Sequence, residues 1–498
     1  MPLFELPFVT PRPAQSPRCL ATPLRVLALA LPAALWLAGC TTPVLQSSVP
    51  VPSGYAAASR AEAEPEVAWW ESYGDPVLSD LIRRAARENR DVRIAAQRVQ
   101  AARAGVTISR SYLVPNVGLS GRAGDARTGF DAATRQALPD IKSASAGVEV
   151  AWEIDLSGRL RAGARAAAAD ALAAEDGERA VRLLVMTDVA TNYFMLVGAN
   201  RQLETVRAIV AAQDETLRLV RARQRAGLAT PFDVERAQTD ASRAHAAIPP
   251  LETVAAVSRH RIAVLIGDQA ANAAIIVPST GELVLPAARP GQPAELLERR
   301  PDLLALNAQL DAANARRQQA HAEWFPRLFL GALFGSQNVE LNGISMGAAR
   351  FSSAAALLAM PIFNAGRTRA INEIAEAGQN EAVLRYENGI VRALEDVENA
   401  LVTLRDERQR SEDLQSAAQS AEAALGRAQS LYDRGQIDLL PLLDAQRARL
   451  SVRVGANDSR TQLLLDSVQL YKALGGGWQA FEPAAQPAST ASTATPKS

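Results

Sequence analysis

The 498-residue chain has only two cysteines, Cys19 and Cys40, so disulfides have little part in any fold it adopts. Histidine is nearly as scarce. His245, His260 and His321 are the full complement, and none sits at a metal-ligand spacing, so no metal site is assigned. Five methionines, at least one of them in a removable leader, argue against a methionine-lined copper path. No Gly-rich phosphate loop, nucleophile elbow or paired-cysteine motif occurs, and Gly475-Gly476-Gly477 lacks a following Lys-Ser/Thr. No catalytic residue and no enzymatic activity are therefore expected. Basic and acidic residues balance at 53 each, which leaves no positive excess for nucleic acid. Aromatics amount to 5% while alanine and arginine abound, a composition of long helices rather than of a water-soluble sandwich. Beyond the leader, no segment approaches the 18 consecutive apolar residues of a transmembrane helix. A chain of this kind that crosses a membrane must do so as a closed β-barrel.

The N-terminus reads as a leader. Arg18 and Arg25 precede an apolar run, Val26 to Leu37, too short to span a bilayer but suited to a signal-peptide h-region. Leu37-Ala38-Gly39-Cys40 closes it and looks like a bacterial lipobox, which makes 1–39 a lipoprotein signal peptide and Cys40 the site of an S-diacylglycerol and an N-acyl chain. No other cofactor is expected. The leader carries Arg12, Arg18, Arg25 and Glu5, so the mature chain has 53−3 = 50 basic and 53−1 = 52 acidic residues. Thr41, where an aspartate would favour inner-membrane retention, points to the outer membrane. Residues 40–66 read as a lipidated, extended tether, and the end of 475–498 as a disordered tail.

The remainder is one unit written twice. Asp155-Leu156-Ser157-Gly158-Arg159 answers to Phe363-Asn364-Ala365-Gly366-Arg367, and Gly227 with Ala237-Gln238 answers to Gly435 with Ala445-Gln446, both at an offset of 208. Such a unit is too long for a solenoid repeat. The repeats are assigned to 67–266 and 293–474, with 267–292 as the inter-repeat segment. Each opens with an amphipathic helix, about 77–112 and 293–324, stopped by Pro115 or Pro326. Strand-like segments follow. From Val148 to Leu156 apolar residues alternate with Glu149, Ala151, Glu153 and Asp155, a pattern shared by a membrane strand with a wet inner face and by an amphipathic strand of a soluble sheet. Segments from Pro115, from Pro326 and over 351–362 supply three more spanning lengths, and these favour the membrane reading, with Glu149 and Glu153 on the lumen face. Four strands cannot enclose a pore, so this reading requires an oligomer.

Long helices are expected over 159–226 and 367–434, each about 100 Å at about 1.5 Å per residue. In the first, Val185, Val189, Asn192, Leu196, Ala199, Leu203 and onward to Gln224 follow a 4-3-4-3 spacing, the mark of left-handed supercoiling. Gly227 and Gly435 turn each helix back into a return helix, 232–266 and 440–474.

With the lipobox, Trp69-Trp70, Asp75-Pro76, Arg300-Pro301-Asp302, the paired Gly-Arg turns and Leu442-Leu443-Asp444-Ala445-Gln446, the chain resembles the TolC-like outer membrane factors. It is most similar to the lipidated branch that serves tripartite efflux pumps. The resemblance implies a mainly α fold with a membrane β-barrel: a homotrimer whose twelve strands form the barrel and whose helices form a periplasmic tunnel. It also implies a passive exit duct for small molecules handed on by a periplasmic adaptor and an inner-membrane RND transporter. Adaptor contacts then fall on Gly227, Leu228 and Gly435, and the periplasmic aperture on Asp444, Tyr432 and Leu440. Leu431 stands where relatives often carry an arginine latch, with Arg434 nearby as a substitute. Three aspartates at position 444 converging on an axis would repel one another and attract cations. Two alternatives remain: a duct for type I polypeptide secretion, and a periplasmic coiled-coil scaffold, which would explain the helices but not the alternating strands.

Overall fold

The computed structural model describes residues 42–56, 66–127, 129, 131, 140–272, 283–287 and 289–482. The leader, Cys40 and the tail 483–498 lie outside the described residues. In the first repeat the opening helix is divided into α1 (Pro76–Glu88) and α2 (Arg90–Ser111). The break from the expected 77–112 helix falls at Asn89, whose ψ of 135° leaves the helical region. Its side-chain oxygen accepts from the N–H of Asp91 at 2.7 Å and of Val92 at 3.3 Å, so it caps α2. In the second repeat a helical turn, Leu296–Arg299, stops at Arg300 (ψ 113°), the residue before a proline, and α6 (Pro301–His321) begins there.

Strands β1 (Asn116–Ala126), β2 (Ile141–Ile154), β3 (Arg327–Leu341) and β4 (Ile344–Ala359) form one antiparallel sheet in the order β1-β2-β3-β4. The hairpins of the two repeats join through β2 and β3, leaving β1 and β4 as open edges. All four strands run longer than the apolar cores seen in the sequence. The long helices α3 (Arg159–Arg225) and α7 (Arg367–Asp433) have 67 residues each, and they return as α4 (Pro231–Ala246) with α5 (Ile248–Leu265), and as α8 (Leu439–Ala473). The expected helix over 232–266 is broken at Ala247 because Pro249 and Pro250 have no N–H for the helical ladder. At the 208 offset their counterparts are Asn457 and Asp458, and α8 runs through uninterrupted.

Towards the sheet, α3 lies against α2 and α6; towards the far end it lies against α5 and α8, while α7 packs on α6 and α8. The heptad residues Val185, Val189, Leu196, Ala199, Leu203, Val206, Val210, Gln213, Leu217 and Val220 are buried, whereas Asn192 and Gln224 are only partly so. By length and composition α3 is apolar enough to cross a bilayer, but 56% of that stretch is buried inside the chain, as a core helix would be. Midway along the helices, Trp69, Trp70, Tyr73, Met186, Tyr193 and Phe194 fill the main core, and Trp69 stacks on Tyr471 at 5.1 Å between centroids. The Tyr193 hydroxyl donates to Asp75, whose other oxygen caps α1 through the N–H groups of Val77 and Leu78.

The Arg300-Pro301-Asp302 motif ties three elements together at this level. The Arg300 guanidinium pairs with Asp302 at 2.8 Å and with Asp396 of α7 at 3.0 Å, and donates to the Ala473 carbonyl at 3.1 Å. Gly475 lies so close that a Cβ there would meet the Arg300 Cγ at 2.6 Å, which accounts for part of the triple-glycine run. Residues 42–56 are extended, as a tether should be, but they are docked along α6 and α7 instead of hanging free.

Candidate functional site

The sheet has two unlike faces. Across its register, Val150 pairs with Ala332 and Ala332 with Ala354, while Trp152 pairs with Leu330 and Leu330 with Ala356. Val117, Val148, Phe334 and Leu358 continue this apolar face. Glu149 and Glu153 project to the opposite face, with Ser143, Ser145 and Gln337. A carboxylate costs far more against hydrocarbon than against water, so the Val150–Trp152 face is the one suited to lipid. Glu149 is exposed and makes no side-chain bond among the described residues. Glu153 is different: both its oxygens take Arg159 Nη2, at 2.9 and 2.8 Å, so the arginine of the Gly158-Arg159 turn fastens the base of the sheet to α3. Close packing also marks this face, since a Cβ on Gly335 would stand 2.6 Å from the Phe351 ring.

At the opposite pole the two hairpins end alike. Gly227 and Gly435 have φ of 74° and 72°, and the next residue's N–H bonds back to the Arg223 or Leu431 carbonyl, at 2.8 and 2.9 Å. Thr230 and Asp233 add a capping box to the first hairpin, whereas Asp438 makes no such bond in the second. Leu228 is 70% exposed and Phe232 nearly as much, so the first hairpin carries bare apolar side chains.

Polar ties join the hairpins just behind these turns. Arg223 of α3 donates to the Tyr432 hydroxyl of α7 at 2.6 Å, with its guanidinium 5.1 Å from the ring centroid. Arg447 of α8 grips Asp240 of α4 with two nitrogens at 2.7–3.1 Å, and this carboxylate raises the arginine's pKa above its ordinary value. The Asp240 side chain is only 5% exposed. Asp444 lies on the rim, 59% exposed, with Arg236 and Arg447 each 3.5 Å from one of its oxygens. Leu440 is exposed beside it.

The structure therefore brings Asp444 and Tyr432 into one cross-hairpin network, and Gly227, Leu228 and Gly435 to the turns at its end. Arg434 makes no side-chain bond among the described residues; the tie to Tyr432 comes from Arg223, whose counterpart at the 208 offset is Leu431 itself. Arg223, Arg236, Asp240 and Arg447 were not singled out in the sequence. A signal was present, because Arg236 lies 208 residues before Asp444, so the duplication had placed opposite charges at equivalent positions. Among the described residues no group of three or more His, Cys, Asp or Glu is arranged to hold a metal.

Comparison with known proteins agrees with this geometry. The chain is 33% identical to the outer membrane protein OprJ of Pseudomonas aeruginosa over 85% of its own length and 89% of OprJ. It is also 33% identical to the pyoverdine export outer membrane protein OpmQ of Pseudomonas putida, over 91% of this chain and 98% of OpmQ. The solved outer-membrane channel OprN superposes with a TM-score of 0.80 at 28% identity, covering 88% of this chain and 100% of OprN. The profile of the outer membrane efflux proteins matches residues 81–268 and 293–476, and with a doubled helix–hairpin–helix unit, an amphipathic sheet and channel-like neighbours in place, the chain belongs to that family of the outer membrane.

Proposed function

We propose that three copies of this chain close a twelve-stranded barrel and a helical tunnel, forming the exit duct of a tripartite pump for small molecules. The open edges of the sheet carry this reading. Among the described residues each chain has four strands, with β1 and β4 unpaired, and such edges in a bilayer are tolerated only when another chain covers them. Glu149 and Glu153 then belong to the wetted lumen. The apolar turns around Gly227, Leu228 and Gly435 meet a periplasmic adaptor that links the duct to an inner-membrane RND transporter. Asp444, Tyr432 and Leu440 form the aperture, held shut by the Arg223 and Arg447 ties. A small-molecule cargo is supported by OpmQ, a relative named for pyoverdine export. Cys40 carries the lipid anchor, a reading supported by the docking of residues 42–56, whose upstream end lies nearest the sheet.

Single cysteines on β1 and β4, at paired heights, test the assembly. Oxidation of the double variant in outer membranes should give covalent dimers and trimers, and the purified protein should conduct ions across a planar bilayer. Monomers only, with no conductance, would refute the duct. Separately, Cys40→Ser should abolish palmitate labelling while leaving the oligomer intact; undiminished labelling would refute the anchor.

A further inference from the structure

Asn314 on α6 and Gln379 on α7 are only 6% and 3% exposed, and their carboxamides meet in the groove where residues 42–56 are docked. Gln379 Nε2 donates to Asn314 Oδ1 at 2.7 Å and to the Pro43 carbonyl at 3.0 Å. Asn314 Oδ1 also accepts from Leu45 N–H at 3.1 Å, and Asn314 Nδ2 donates to the Leu45 carbonyl at 3.1 Å. Asn314 thus treats Leu45 as a neighbouring strand would, reading extended backbone and not a side chain. Farther along, Ser48 bonds to Glu387, and the Ala56 N–H donates to Glu398. Tyr55 is buried beside Leu296, Leu303 and Ile390.

The order of these contacts gives the segment a direction. Residues 43, 48 and 56 meet 379, 387 and 398 of α7, so the chain runs away from the sheet and its upstream end lies nearest to it. Gln379 is twelve residues from Arg367, the first of α7, about 18 Å along the axis. Cys40 lies two residues before Thr42, which adds a reach of at most about 7 Å. Thr42, where the described segment begins, therefore lies below β3 and β4, the strands that follow α6 and precede α7. Above, on the apolar face of the sheet, Val150, Trp152, Leu330, Ala332, Ala354 and Ala356, with Pro115 just ahead of β1, line a depression of about 510 Å³. Its two rows stand two and four residues above the base row of Ile154, Leu328 and Leu358, about 7 and 14 Å. One leaflet of hydrocarbon, about 15 Å deep, covers both.

We propose that Asn314 and Gln379 are positioning residues for the lipid anchor. Their buried carboxamide pair grips the backbone at 43–45 and aims the acyl chains of Cys40 at the depression on β2–β4, so that they do not range around the barrel. The inference rests on the acylation of Cys40 put forward above.

The test feeds cells a diazirine-bearing palmitate analogue, irradiates outer membranes holding the full-length protein, and identifies tryptic conjugates by mass spectrometry. A conjugate joining the Cys40 peptide to another peptide arises only from a protein-bound chain, whereas bulk phospholipid gives single-peptide adducts. In the wild type, conjugates assigned by fragmentation to Ala332 and Ala354 should exceed about tenfold those at Val117, which stands at the same height on β1 outside the depression, the bias expected of a tethered ligand. Asn314→Ala with Gln379→Ala should erase that bias while palmitate incorporation and the heat resistance of the oligomer stay unchanged. Ala354→Trp, which fills the depression and leaves the grip intact, should cut the Phe351–Arg367 conjugates. Even conjugation in the wild type, or a bias that survives the double alanine variant, would overturn the proposal. No acyl label on the protein at all would remove the anchor itself, an outcome told apart by its absence from every peptide.

Discussion

At the scale of single residues, the ties behind the turns are unequal, and their geometry ranks them. Arg447 and Asp240 form a forked pair with the carboxylate nearly buried, whereas Asp444 touches its arginines only at 3.5 Å and stays open to water. Removing one partner of a buried, hydrogen-bonded charge costs about 1–3 kcal/mol or more, while rim contacts count for little. Arg447→Ala should therefore loosen the hairpin ends, seen as raised single-channel conductance and greater uptake of large antibiotics, with Arg447→Lys restoring charge but not the fork. Asp444→Asn should leave stability unchanged and instead weaken block of the channel by cations.

Asp466 supplies a second residue-level test. Its Oδ2 is buried with no partner among the described residues, and burial, with Glu407 nearby, raises its pKa above the usual carboxylate value despite a hydrogen bond from Gln462. A carboxyl whose pKa is raised on folding favours the folded state at low pH, and that contribution fades as pH climbs through the folded value. Asp466→Asn should accordingly raise the melting temperature at pH 7, and the gain should vanish below about pH 4, where the wild-type group is protonated in both states.

At the scale of elements, packing depends on close approach between helices from different repeats. A Cβ on Gly198 of α3 would stand 2.4 Å from the Thr461 hydroxyl of α8. Gly198→Ala should destabilise by about 1–3 kcal/mol through overpacking, and Thr461→Ala in the same chain should recover most of it, a coupling measurable by a double-mutant cycle in thermal melts.

Elements were legible where a local rule spoke alone. Both long helices start at Gly-Arg and end before Gly227 or Gly435 within a residue of expectation, since left-handed glycines mark their termini. The break at Asn89 is hidden in the sequence because apolar spacing carries on across it, and the Pro249-Pro250 break has no counterpart in the second repeat. The docking of residues 42–56 could not be read from their proline- and serine-rich composition, because the side chains that hold Pro43 and Leu45 lie 269 to 336 positions away. The charged ties behind the turns have the same origin, with Arg447 and Asp240 separated by 207 positions.

At the scale of the whole molecule, one chain leaves much apolar surface bare. Ile374, Leu384 and Val391 on α7 and Val254, Val257 and Val264 on α5 are exposed, on helices at opposite flanks of the bundle. Surfaces of this sort are normally covered by a partner. Unfolding of the detergent-solubilised protein should therefore depend on protein concentration, with the melting temperature falling on dilution because dissociation and unfolding are linked. A melting temperature independent of concentration would mean that the lone subunit is self-sufficient.

The interruption at Ala247 makes the two walls mechanically unlike. One returning wall has an unbroken helical ladder, while in the other two adjacent prolines interrupt it. Bending thus concentrates in the limb that carries the bare Leu228 and Phe232. A tug from outside would swing that limb first and leave its unjointed companion as the fixed jamb.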